Sequence, residues 1–120
     1  MRHRPGLDGV AALVVTVEFT DDGHRALGVE WSMDAETAAH RRLECARIFL
    51  AGTRTGVRRM YLDIVDGRPS VALRLPETVI AGEYTIEVDA YGSSSWGDGR
   101  LEAHGRSDPF TIAGEAGIGR

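Results

Sequence analysis

The residues 92–99, GSSSWGDG, gather three hydroxyls, an indole and a carboxylate between glycines. A single tryptophan amid small residues can stack on a sugar ring or fill a partner's pocket. Serine and aspartate can supply the hydrogen bonds. The candidate ligand-binding set is therefore Trp96, Tyr91, Ser94 and Asp98. The structural alternative is that Trp96 folds back over Tyr91 or a neighbouring strand and caps the edge of the core. The same stretch nearly spells a serine-hydrolase elbow, but Trp96 stands where G-x-S-x-G requires its last glycine. The elbow also needs a strand-to-helix turn, and this loop joins two strands.

Other reactive side chains form no recognisable set. Cys45 with His40 suggests a thiol nucleophile, yet Cys45 lies in an apolar run where a free cysteine behaves as a small hydrophobe. His3, His24, His40 and His104 show no ligand spacing, and no second cysteine exists. Asp21, Asp22 and Asp98 can hold calcium loosely, but carboxylates of this kind are ordinary turn formers. Glu87 and Asp89 share one face of a strand with Thr85. On an exposed face such a pair is solvated surface, without a pocket to tune it. The sequence thus predicts no catalytic residues, no metal, no cofactor and no enzyme.

Composition narrows the partners. The net charge of −4 over 120 residues is ordinary, and the basic residues are scattered except for Arg41-Arg42 and Arg58-Arg59. No nucleic-acid footprint follows from so thin a pattern. Lysine, asparagine and glutamine are absent, as a GC-rich genome would produce, and N-glycosylation is excluded with asparagine. The glycines of GEAGIGR at the C-terminus lack the strand and helix that a phosphate cradle needs. No apolar stretch is long enough to span a membrane. The apolar run from Val10 to Val17 contains Thr16, passes into Glu18 and meets no small-residue cleavage site, so it reads as a strand rather than a secretory signal. The expected location is cytoplasmic if the chain is full length, and cell-surface or secreted if it is a fragment.

These residues ride on strands. Apolar period two gives ALVVTVEFT (12–20), ALGVEWSM, CARIFLAG, VRRMYLDIVDG, PSVALRLP, EYTIEVDAY and a last segment from about Arg100 to PFTIA. Asp22-Gly23 and Asp66-Gly67 mark turns. In EYTIEVDAY the alternation turns Tyr84, Ile86, Val88 and Ala90 inward and Thr85, Glu87, Asp89 and Tyr91 outward, as in an antiparallel sheet with one wet side. Residues 34–52 also fit a helix, with Asp34 as its cap. The flanking strands favour a short helix near 34–43 followed by a strand. Residues 10–114 form one predicted domain between flexible tails at 1–9 and 115–120.

One residue sharpens the fold. Tyr84 follows Leu75-Pro76 and the Ala81-Gly82 bend at the mouth of the sixth strand. With the tryptophan strand VEWS, the segment LRLPETVIAGEYTIEVDAYG and the ending GRSDPFTI, it resembles an immunoglobulin-like or fibronectin-type-III-like domain. It is also similar to modules of this type in bacterial and fungal cell-surface proteins. The resemblance implies an all-β sandwich of about seven antiparallel strands, with the Tyr84 hydroxyl bonded back to the corner before it. The expected core is Val15, Val17, Val29, Trp31, Ile48, Leu62, Ile64, Val71, Leu73, Tyr84, Ile86, Val88, Phe110 and Ile112. The expected function is a non-catalytic interaction module that binds a protein partner or copies of itself. The alternatives are a carbohydrate-binding module using Trp96 and Tyr91, and an accessory domain of an enzyme.

Overall fold

The computed structural model describes residues 10–20, 24–41, 43–54, 58–66, 68–92 and 100–113. The tails, the Asp21–Gly23 turn and the 93–99 loop lie outside the described residues. Strands β1 (Ala11–Ala12), β2 (Val14–Thr20) and β3 (Ala26–Ser32) come first. The short helix α1 (Ala35–His40) and strand β4 (Cys45–Gly52) follow. Then come β5 (Met60–Asp66), β6 (Ser70–Arg74), β7 (Gly82–Tyr91), β8 (Leu101–Arg106) and β9 (Phe110–Ile112). The protein is an all-β sandwich, with one short helix among the described residues. The smaller sheet runs β2-β3-β6; the larger runs β1-β8-β7-β4-β5, with β9 also paired to β7. No described helix is long and apolar enough to cross a membrane.

Segment 34–52 divides into helix and strand for local reasons. The Asp34 carboxylate accepts from the Thr37 amide at 2.8 Å and caps the first turn. Nothing on α1 is buried, so packing gives it no reason to lengthen. From Cys45 onward the chain alternates inward and outward between two antiparallel partners, β5 and β7.

The core follows the register. In the smaller sheet Val15 faces Trp31, Val17 faces Val29, and Leu27 faces Leu73. In the larger sheet Ile48 pairs with Val88 and Leu50 with Ile86, and all four are buried. One inner row differs: Ala46, Ala90, Ala103 and Ala11 lie side by side across four strands. All four are buried. Of the expected core, Ile64 is misplaced. It pairs with Arg47 on the outer face, and Val65 enters the core instead, opposite Ala46. A register shift between Ile48 and Phe49 interrupts the alternation along this strand pair.

Two devices fix the loops. The Tyr84 hydroxyl donates to the Ile80 carbonyl at 2.7 Å, closing the corner ahead of β7. Arg25, at φ 53°, donates from Nη1 to the carbonyls of Pro76 and Val79, holding the same corner from β3's side. Between β8 and β9 the buried Ser107 accepts from the Ile86 amide at 2.9 Å, and its own amide donates to the Ile86 carbonyl.

Candidate functional site

The outer face of the larger sheet carries the densest array of polar and aromatic groups. Its middle strand, β7, presents Glu87 and Asp89 there. The expectation of a wet, solvated pair is corrected: Glu87 is 9% exposed and Asp89 4%, and Thr85 beside them is also buried. Long side chains from three neighbouring segments cover them.

Pairing puts these side chains in place. On β8, Arg106 sits opposite Glu87 and His104 opposite Asp89. On β4, Phe49 sits opposite Glu87 and Arg47 opposite Asp89. Arg59, just before β5, reaches across and bridges both acids. Its Nη1 donates to Glu87 Oε1 at 3.1 Å and its Nη2 to Asp89 Oδ2 at 2.9 Å. Arg106 Nη2 takes Glu87 Oε2 at 3.3 Å, and His104 Nδ1 lies 2.6 Å from Asp89 Oδ1. Each of the four carboxylate oxygens therefore has a cationic or imidazole partner. Two buried acids so close together require this compensation.

The aromatic groups hold the same cation. The Arg59 guanidinium lies 3.7 Å from the centre of the Phe49 ring, and Tyr61 meets Phe49 edge-on at 5.9 Å. Burial works against the charge of Arg59, but hydrogen bonds and attraction from Asp89, then Glu87, hold its pKa above the usual arginine value. The guanidinium side chain is still 41% exposed, so this fixed cation faces outward.

Chemically, the acids are occupied and the cations are presented. Because ionised Asp89 can only accept, His104 Nδ1 carries the proton and Nε2 is the acceptor in the neutral ring. This Asp–His pair has the orientation of a general base. Among the described residues no hydrogen bond joins His104 to a hydroxyl or thiol nucleophile. Nor do three His, Cys, Asp or Glu side chains converge there to hold a metal.

The residues singled out in the sequence do not form this site. Trp96, Ser94 and Asp98 lie outside the described residues. Tyr91, which ends β7, is half-buried, with the Arg47 guanidinium 5.0 Å from its ring centre. Cys45 lies opposite Tyr91 and lines a cleft at the alanine end of the sandwich. His40 closes α1, five residues before Cys45. Sequence reasoning named Glu87 and Asp89 but missed Arg59, His104 and Arg106. The signal available was the outward parity of β7 combined with the arginine pair Arg58-Arg59.

No protein-family model matches the chain. No curated protein matches it. Among solved structures it is similar to a superoxide reductase (neelaredoxin) from Ignicoccus hospitalis. The two share 11% identity at a TM-score of 0.46, over 85% of this chain and 80% of that one. That protein is named as an enzyme, so the expectation that this chain is not one is withdrawn. At this TM-score the likeness carries no reaction over to this chain.

Proposed function

We propose that the chain is an immunoglobulin-like interaction module whose larger sheet docks an acidic protein partner through its outer face. The fold assignment is supported by the three-stranded sheet facing a larger one and by the Tyr84 bond to Ile80 at the corner. The docking reading rests on Arg59, fixed on Phe49 and by two buried carboxylates while remaining exposed. A pinned arginine beside exposed aromatic surface loses little side-chain entropy on binding. Arginine and tyrosine are also the residues that concentrate binding energy at interfaces. Tyr61, 51% exposed and edge-on to Phe49, supplies that apolar surface next to it.

The sign of the charge selects the partner. Glu87 and Asp89 spend their oxygens inside the face, so Arg59, Arg106 and His104 are what it presents. Two copies meeting face to face would bring Arg59 and Arg106 against their counterparts, which opposes self-association here. A partner offering carboxylates and an apolar side chain fits.

The test is selection of binders from an unbiased displayed-peptide library, followed by chemical-shift mapping. The expected winners are rich in Asp and Glu, shift β4, β7 and β8 resonances, and weaken with salt. Tyr61→Ala and Arg59→Ala should each cost about tenfold in Kd. Binders that map to another surface, or that ignore both substitutions, would reject the reading.

A further inference from the structure

The alanine end of the sandwich holds an open cleft of about 350 Å³ between the two sheets. Its walls are apolar: Leu13, Trp31 and Met33 face Leu43, Ala46 and Ala90, with Ala38 of α1 at the side. Ala46 and Ala90, paired neighbours in the alanine row, form its closed floor with Trp31, all three buried. A dry cavity of roughly 150 Å³ suffices for one benzene ring, so this one has room for about two fused rings.

Arg68 is the charged residue on the lining. Its amide donates to the Asp66 carbonyl, but among the described residues its guanidinium has no hydrogen bond, ion pair or ring contact. Ser32 and Cys45 are the other polar residues on the lining. A sugar would leave most of its hydroxyls unpaired against such walls, and a cation would meet Arg68. One guanidinium matches one carboxylate in a two-point fork, whereas a phosphate dianion calls for a second cation.

We propose that this cleft binds a small aromatic carboxylic acid, its rings against the half-buried Met33 and Leu43 at the edge of Trp31 and its carboxylate on Arg68. The site lies between the sheets and does not depend on the docking role of the outer face.

The experiment titrates the whole chain with 1-naphthoate and with the neutral 1-naphthalenemethanol, followed by amide and indole chemical shifts. Naphthoate should saturate with a Kd of about 0.1–1 mM, as expected for so few atoms. The shifts should centre on Trp31, Met33, Ala38 and Leu43. Arg68→Gln, at an exposed position, should weaken naphthoate about tenfold and leave the alcohol unchanged. Ala38→Phe, on the exposed helix, should block both, with circular dichroism confirming the fold. Any of three results overturns the proposal: no saturable shift up to about 5 mM, shifts centred on another surface, or an Arg68→Gln affinity for naphthoate equal to that of the parent.

Discussion

Arg59 lies over the Phe49 ring at 3.7 Å while its two terminal nitrogens hold Glu87 and Asp89. One side chain thus closes the lid over two acids that strand pairing alone would leave bare. The burial of Glu87 and Asp89 is a consequence of this bridge as much as of the sheet.

Replacing Arg59 separates its two roles. Arg59→Met keeps an apolar stem over Phe49 and removes the charge. It should cost about 1–2 kcal/mol, because the buried acids lose a shared donor while Arg106 and His104 remain and solvent screens part of the loss. Arg59→Ala should cost about 0.5–1 kcal/mol more by uncovering the ring. Urea denaturation of both variants measures the difference; equal midpoints for Met, Ala and parent would mean that the bridge contributes nothing.

Gly105 is set by a close approach rather than by a turn. A Cβ there would stand 2.3 Å from the Leu13 carbonyl oxygen and 2.7 Å from Leu13 Cβ, where the chain crosses from β1 to β2. The obstacle is backbone, and the Leu13 amide is itself bonded to the His104 carbonyl at 2.9 Å, so it has little freedom to retreat. Gly105→Ala should therefore destabilise by about 1–3 kcal/mol despite being buried and apolar. Thermal melting tests it, and an unchanged melting temperature would show that the crossing can shift freely.

Tyr84→Phe isolates the corner bond. The ring keeps its packing while the Ile80 carbonyl loses its 2.7 Å donor. Ile80 is exposed, so water can replace the lost partner and the cost should be modest, about 1 kcal/mol. Amide exchange should quicken first between Leu75 and Glu83; uniform protection there would mean that the corner is held by Arg25 alone.

The strands, the corner and the split of residues 34–52 were legible because each is written locally. Tyr84, Ile86, Val88 and Ala90 alternate within one strand, and Asp34 caps its own helix. The site was not, because parity tells which side a residue takes and not what lies over it. Arg59 is 30 residues from Asp89 and 28 from Glu87, and His104 is 15 beyond Asp89. Only the order β8-β7-β4-β5 brings them onto one face. Ile64 shows the complementary failure. Its alternation is sound locally, but a shift in the partner register turned it outward.

Cys45 supplies a pH-dependent test of the cleft wall. Burial raises its thiol pKa, with Glu44 and Asp66 adding to the effect and Arg47 opposing it. The sign follows directly: in the folded chain the thiol holds its proton above the pH at which an unfolded cysteine ionises. Alkylation by iodoacetamide, which consumes the thiolate, should therefore be slower than for free cysteine at pH 8, and should reach half its limiting rate at higher pH. Above the ordinary thiol pKa the unfolded state also gains from ionising what the folded state keeps protonated. Stability should fall as pH rises through that window, and Cys45→Ser should remove this part of the slope. A folded chain that alkylates at the rate of free cysteine would show that the thiol stands in water rather than on the wall of the cleft.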